Sequence, residues 1–285
     1  MTIDHKPAVG ARPTVDSNGR ISTSSGPSSQ HTAPARAEDK AVKLQMAALT
    51  HKGRVRNHNE DSLYFDIRDR VMIVCDGMGG HAGGHIASEL AVQVVSNGLR
   101  QLRPSDWSDE NSVIEKMKSA VFGANDHILS RARVDIGLSD MGTTIVGLAF
   151  MLDRVITVNV GDSRIYRVCK DSIEQVSEDH SLVAERVRAG LLDPDSDEAA
   201  LLGNIVTRAL GMEQVTIDIT VESLMIGDTY LLCSDGLSDL LSDDDMFDIV
   251  QGAESLEQAC VTLVDLANQR GGIDNITVAL ARAVS

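Results

Sequence analysis

Nine short apolar runs, each of strand length and rich in β-branched or aromatic residues, limit what this chain can become. They read KLQMAALT, SLYFDI, RVMIVCD, TTIVGLAFM, RVITVNVG, SRIYRVC, TIDITV, DTYLLCSD and NITVALAR along residues 43–282. Several are joined by tight hairpins, as at Leu152 and Asp153, so antiparallel pairing fits better than the regular alternation of a parallel sheet. Helical periodicity fills 84–102, 112–131, 181–191, 243–250 and 256–269. LSDDDMFDIV puts Ser242 ahead of three acids, a helix N-terminus signature. Strand runs interleaved with helix pairs, without a strict repeat, imply a layered α+β domain.

Residues 1–40 are rich in Ser, Thr, Pro, Ala and Gly and carry no apolar periodicity, so they read as a disordered tail ahead of a folded domain over 41–285. No apolar run approaches the roughly 18 residues of a membrane span, and the N-terminus lacks the apolar centre of a secretory signal, which points to the cytoplasm. Net charge is −16; the tail holds five bases and four acids, which leaves about −17 for the rest. That balance excludes a nucleic-acid surface, which needs a basic stripe. Cys75, Cys169, Cys233 and Cys260 stand far apart with no Cys-x-x-Cys pair, and read as buried thiols.

In RVMIVCDGMGGHAGG an apolar strand ends on Asp76 and then on glycines, directly before a helical stretch. The same acid-glycine step follows a strand at Asp235-Gly236, and Asp274 opens the last apolar run. Any one of these is most simply a turn. Together they ask for a joint explanation, because carboxylates gathered at adjacent strand ends repel one another unless a cation sits among them. Oxygen-only ligands select hard cations such as Mg²⁺ or Mn²⁺ over zinc. The glycine lets the backbone approach, so the Gly77 carbonyl is a further candidate ligand. Two such ions about 4 Å apart make hydroxide from water near neutral pH. Upstream, in GRVRNHNEDSLYF, Glu60 and Asp61 offer more carboxylate, and Arg56 offers a fork for a phosphate, although alone this stretch would read as a surface loop with an ion pair.

With these residues in view the chain resembles the metal-dependent protein phosphatases of the PP2C (PPM) type. The matching segments stand in family order over nearly all of 48–282: GRVRNHNEDS, VCDGMGGHAGG, MGTT, NVGDSRIYR, SEDHS, NIVTRALG, DTYLLCSDGLSD and GGIDNITV. The resemblance implies an αββα sandwich, two central antiparallel sheets flanked by helix pairs, with a dinuclear Mn²⁺/Mg²⁺ site at one end. It implies that Asp76 bridges both ions, Gly77 gives its carbonyl to one, and Asp235 and Asp274 bind the other. Asp61, with Glu60 beside it, would hold metal-bound water, and Arg56 the substrate phosphate. Asp140 lies where many bacterial members place an acid for a weaker third ion. Met78 stands where eukaryotic members commonly carry a histidine proposed as general acid. A metal-bound water or His81 is then left to protonate the leaving group, although the plainer reading of His81 is a helix-start residue with a local hydrogen bond. Gly161–Arg164, the GDSR marker, reads as the turn from one strand to the next, and 181–204 as the family's variable flap.

Other classes fit less well. A dinucleotide loop at Gly77, Gly79 and Ala82 would need a parallel strand ending in an acid about 20 residues on, where the pattern is helical. Cysteine phosphatases need Cys-x5-Arg, and the residues six beyond the four cysteines are His81, Gln175, Asp239 and Leu266. A non-catalytic phosphoprotein-binding or scaffold member of the same fold would be expected to have lost a metal acid. The sequence therefore predicts hydrolysis of phosphoserine or phosphothreonine on proteins, opposing a Ser/Thr kinase, by a monomer with no nucleic-acid or membrane partner.

Overall fold

The computed structural model describes residues 14–15, 20–22, 42–79, 83–203 and 205–285. Its strands are β1 (Thr14–Val15), β2 (Arg20–Ser22), β3 (Lys43–His51), β4 (Ser62–Asp66), β5 (Val71–Cys75), β6 (Gly77–Met78) and β7 (Gly142–Thr143). They continue as β8 (Ile145–Phe150), β9 (Arg154–Val160), β10 (Arg164–Val168), β11 (Ile173–Gln175), β12 (Asp218–Ser223), β13 (Thr229–Cys233) and β14 (Ile276–Val284). The helices are α1 (Gly83–Leu99), α2 (Glu110–Val134), α3 (Leu182–Arg188), α4 (Asp197–Leu202), α5 (Asp235–Ser238), α6 (Asp243–Gly252) and α7 (Leu256–Gln269).

All nine apolar runs contain strands, and every pairing among the described strands is antiparallel. They form a seven-stranded sheet, β1-β2-β3-β14-β13-β10-β11, and a five-stranded sheet, β12-β9-β8-β5-β4, with β6 and β7 as a separate small pair. Met151 donates its N–H to Arg154 O at 2.8 Å, which closes the β8–β9 hairpin around Leu152 and Asp153. The Ser242 side chain accepts from the Asp245 N–H while Asp245 accepts from the Ser242 N–H, a capping box that starts α6 where three acids follow a serine.

Period-two alternation explains the layers. In β5, Val71, Ile73 and Cys75 pack with α1 and α2, while Met72 and Val74 point to the other sheet. In β14, Ile276, Val278 and Leu280 pack with α6 and α7, while Ala279, Ala281 and Ala283 join the inter-sheet core. The order is helices, sheet, sheet, helices. The inner layer is lined by small residues on β14 and filled from across by Met72, Leu148 and Phe150, with Tyr230 of the neighbouring β13 meeting Phe150 edge to face. Among the described residues no helix is long and apolar enough to cross a membrane.

Three details differ from the sequence reading. Thr14–Val15 and Arg20–Ser22, inside the segment read as a disordered tail, form short strands, and β2 pairs with β3 through Arg20–Leu49 and Ile21–Ala48. The rest of residues 1–41 lies outside the described residues. Cys169 is not buried like Cys75, Cys233 and Cys260; it is partly exposed one residue beyond β10, where the chain turns. The segment 181–204 is more regular than its polar composition implied, because Ser181 and Ser196 cap α3 and α4.

Leu148 is fully buried between the sheets. Leu148→Ala should lower unfolding free energy by about 2–5 kcal/mol, read as a fall in the urea midpoint with unchanged slope. A loss under about 1 kcal/mol would mean that the inter-sheet layer collapses around the gap.

Candidate active site

The acids singled out in the sequence come from both sheets. Asp61 immediately precedes β4 and Asp76 immediately follows β5, both in the five-stranded sheet. Asp235 opens α5 just past β13, and Asp274 precedes β14, in the seven-stranded sheet. The antiparallel order puts the end of one strand beside the start of the next, so acids far apart in the chain meet at one end of the sandwich.

Asp61 is 5% exposed and is tied across to the opposite sheet. Its Oδ2 accepts from Thr277 Oγ1 at 2.6 Å and from Ser234 Oγ at 2.9 Å. Its Oδ1 is buried without a hydrogen-bond partner, as is Asp235 Oδ1. Burial pushes the Asp61 carboxyl up to about 6; the Thr277 and Ser234 hydroxyls pull it down, and the Asp274 charge adds to the rise. Asp76 lies well above the ordinary carboxylate range, from burial first and then from Asp61, Asp235, Asp162 and Asp274. Asp235 is raised likewise by burial, then by Asp162, Asp239, Asp274 and Asp61. Glu60 is raised by burial, with Arg56 opposing.

The Asp76 main chain is clamped from the facing hairpin. Its N–H donates to Thr144 Oγ1 at 3.0 Å, and its carbonyl accepts from Thr143 Oγ1 at 2.8 Å and from the Thr144 N–H at 2.9 Å. Thr144 Oγ1 in turn meets Ser163 Oγ at 2.7 Å. A Cβ on Gly77 would lie 2.1 Å from Gly84 O, so only glycine fits there. A Cβ on Gly84 would sit 2.7 Å from both Gly77 O and Glu60 Oε2, which places those two oxygens beside the start of α1.

Arg56 is exposed and donates from Nη2 to Asp274 Oδ2 at 2.5 Å, so the residue read as a phosphate ligand touches the acid cluster directly. Asp140 is exposed, two residues before β7, whose Gly142 pairs with Met78. His81 lies outside the described residues, as do Gly80 and Ala82.

Sequence reasoning passed over Asp162 and Asp239. Both charges act on Asp235, and burial holds Asp162 itself up to about 6. The GDSR stretch does turn one strand into the next, but it carries the chain from the five-stranded to the seven-stranded sheet, which brings Asp162 to the site end. The Gly161 N–H donates to Nδ1 of His180, itself 1% exposed, from the SEDHS segment. The available signal for Asp162 was an acid at the end of an apolar run, as for Asp76, although here the glycine precedes the acid instead of following it.

Among the described residues no group of three or more His, Cys, Asp or Glu side chains stands ready-made as a metal cage. The donor chemistry nonetheless fits a hard divalent cation. It consists of oxygen alone, two of the buried carboxylate oxygens have no partner, and the acids raise one another's affinity for positive charge.

The two-sheet antiparallel sandwich matches solved bacterial serine/threonine phosphatases. The crystal structure of the Mycobacterium tuberculosis phosphatase PstP/Ppp superposes with a TM-score of 0.78 at 32% identity, over 86% of this chain and 100% of that one. A crystal structure of the PstP catalytic domain in complex with two manganese ions gives 0.76 at 33%, over 86% and 99%. The serine/threonine phosphatase stp of Listeria welshimeri is 37% identical over 235 residues, 81% of this chain and 92% of that protein. Residues 50–266 match the model of the protein phosphatase 2C family. The chain belongs to that family.

The raised carboxyls carry a consequence for stability. A group whose pKa is higher in the folded state contributes stability that is complete below its unfolded value, near 4, and lost as pH rises through its folded value. In chelator, wild type should therefore lose ground to Asp61→Asn between about pH 4 and pH 7, on the order of 2 kcal/mol. Urea titrations of both proteins across that range test it; a difference independent of pH would contradict it.

Proposed function

We propose that the chain hydrolyses phosphoserine and phosphothreonine esters on proteins with the help of divalent cations bound at this acid cluster. Asp76, the Gly77 carbonyl, Asp235 and Asp274 are the residues assigned to hold two ions, Mn²⁺ or Mg²⁺, with Asp61 and Glu60 supporting them and Asp140 available to a third. When bound, such cations lower the pKa of water and offset charge on the phosphoryl group. The chain's own part is to hold the acids of two sheets at one place and to hold the phosphate. The observation that carries this reading is the pair of partnerless buried oxygens, Asp61 Oδ1 and Asp235 Oδ1, inside a group of acids whose pKa values rise together.

Arg56 is the phosphate ligand in this reading. A guanidinium carries several more donors than the one Arg56 gives to Asp274, and more than half of its side chain is open to solvent. Phosphorylated proteins are the partners that follow, with a Ser/Thr kinase as the source of the ester; the enzyme acts as a cytoplasmic monomer. A purely phosphoprotein-binding role has no support in the acid set, since Asp76, Asp235 and Asp274 are all present.

The test is turnover of a small aryl phosphate. Activity should require added Mn²⁺ or Mg²⁺ and vanish in chelator, and Asp76→Asn should remove more of it than Glu60→Gln, because a neutral amide bridges two cations poorly. Full activity after exhaustive metal removal, or near wild-type turnover by a folded Asp76→Asn protein, would sink the assignment.

Arg56→Ala separates phosphate holding from cation holding. The expected loss is about 1.5–3 kcal/mol in transition-state binding, roughly ten- to hundredfold in kcat/KM on a phosphothreonine peptide, read mainly in KM. A parallel Mn²⁺ titration should move little. Loss of Mn²⁺ affinity with unchanged KM would reassign Arg56 to the support of Asp274.

A further inference from the structure

Against a strongly acidic chain, residues 52–59 stand out as a basic stretch, with Lys52, Arg54 and Arg56 exposed and no acid before Glu60. The shape of this loop is imposed from outside. Asn275, 5% exposed, donates through Nδ2 to Lys52 O at 3.0 Å and to His58 O at 2.9 Å, so one amide holds both ends. Its Oδ1 accepts from the Glu60 N–H at 2.8 Å. In the middle, Gly272 O accepts from the N–H groups of Arg54 at 2.7 Å and Val55 at 3.3 Å. The Arg54 stem is seated as well: a Cβ on Gly272 would come within 3.1 Å of Arg54 Cγ. Asp274, which pairs with Arg56, ends the same turn. Among the described residues neither Lys52 nor Arg54 makes an ion pair, whereas Arg56 does.

We infer that Lys52 and Arg54 form a second anion subsite beside the reacting phosphate, and that it selects substrates carrying a further phosphoryl group close in sequence to the one removed. This rests on the phosphatase reading above. Three observations favour a phosphate as the occupant. The guanidinium fork assigned to the reacting phosphate is repeated two residues away. Lys52 adds a point charge to it. The surroundings otherwise repel anions, so a dianion gains more from two cations carried on a backbone held in place than a single carboxylate does. Two residues of chain span at most roughly 7 Å, so the second phosphate belongs within about two or three residues of the first.

The experiment compares three peptides of one sequence with the Mn²⁺-loaded full chain. One carries a single phosphothreonine, one carries in addition a phosphoserine two residues away, and one carries glutamate there instead. Release of phosphate from the threonine is followed by mass spectrometry. Wild type should favour the doubly phosphorylated peptide over the other two by about three- to tenfold in kcat/KM at low salt, and the advantage should shrink as ionic strength rises. Lys52→Gln and Arg54→Gln should each reduce the ratio, and Arg54→Glu should bring it to one or below. Equal preference for the glutamate peptide would overturn the phosphate assignment. A ratio near one in wild type, or a ratio that both neutral variants leave intact, would overturn the subsite. Wild-type hydrolysis of an aryl phosphate in the same preparation separates these outcomes from failure of the phosphatase reading, in which no substrate turns over.

Discussion

The contact on which the site depends most is the Asp61 carboxylate held by the hydroxyls of Ser234 and Thr277. Asp61 leads into β4 of the five-stranded sheet, and its two partners are Ser234, just past β13, and Thr277, inside the start of β14, in the seven-stranded sheet. It therefore ties the sheets together on a charge that burial opposes. Either hydroxyl lost would leave more of that charge without compensation, since a buried polar group without a partner costs about 1–3 kcal/mol. The hydroxyls are themselves set: Thr277 Oγ1 meets Thr50 Oγ1 at 2.7 Å, and the Thr277 N–H donates to Ser234 Oγ at 3.0 Å. The apolar packing between the two sheets is close but non-directional. A carboxylate bonded across them fixes where the strand ends meet.

Much of what looks like motif is scaffolding for the acids. Thr143 and Thr144 do not reach out as ligands; they hold the main chain of Asp76 from both sides. Ser163 supports Thr144, and His180 receives the Gly161 N–H, so the crossover between sheets is pinned to the hairpin that pins Asp76. Arg164 grips Asp179 through both carboxylate oxygens, which anchors the segment carrying His180. The chemistry is concentrated in a few carboxylates, and their placement depends on hydroxyls and one buried imidazole.

That division explains what could be read from the chain and what could not. The fold was legible because burial on both faces of β5, β8 and β14 writes itself into unbroken apolar runs, and α1, α2 and α7 write themselves into helical periodicity. Asp76, Asp235 and Asp274 were legible for a similar reason, since each stands at the edge of an apolar run. Asn275 was not, because its amide acts on Lys52 and His58, 223 and 217 positions away, and nothing near Asn275 marks it. Asp162 was masked by the more obvious role of its segment as a turn. The Arg56–Asp274 pair is also non-local, spanning 218 positions, and joins two residues that had been given separate tasks. Family resemblance supplied the site as a list of positions, whereas the contacts that shape it emerge only when the two sheets are brought together.

The electrostatics of the site contain a tension that the basic loop addresses. A phosphopeptide is an anion, and it approaches a chain with net charge −16 at an opening walled by acids. Fields of one sign focused in a cleft change encounter rates by factors of about 10 to 1,000, and here the protein's own field points the wrong way. Bound cations would reverse it only at the centre, because their influence on exposed charges fades over a Debye length of roughly 8 Å at physiological salt. In the proposed reading, positive charge on the 52–59 loop would extend the favourable field outward from the acid cluster. Placing it on a loop held by Asn275 and Gly272 also limits the entropy that three long cationic side chains on a free loop would lose on binding. The turn that brings Asp274 to the acid cluster also sets the backbone of Arg54, and Arg56 meets Asp274 directly, so positive and negative charge are joined there by contacts between positions far apart in sequence.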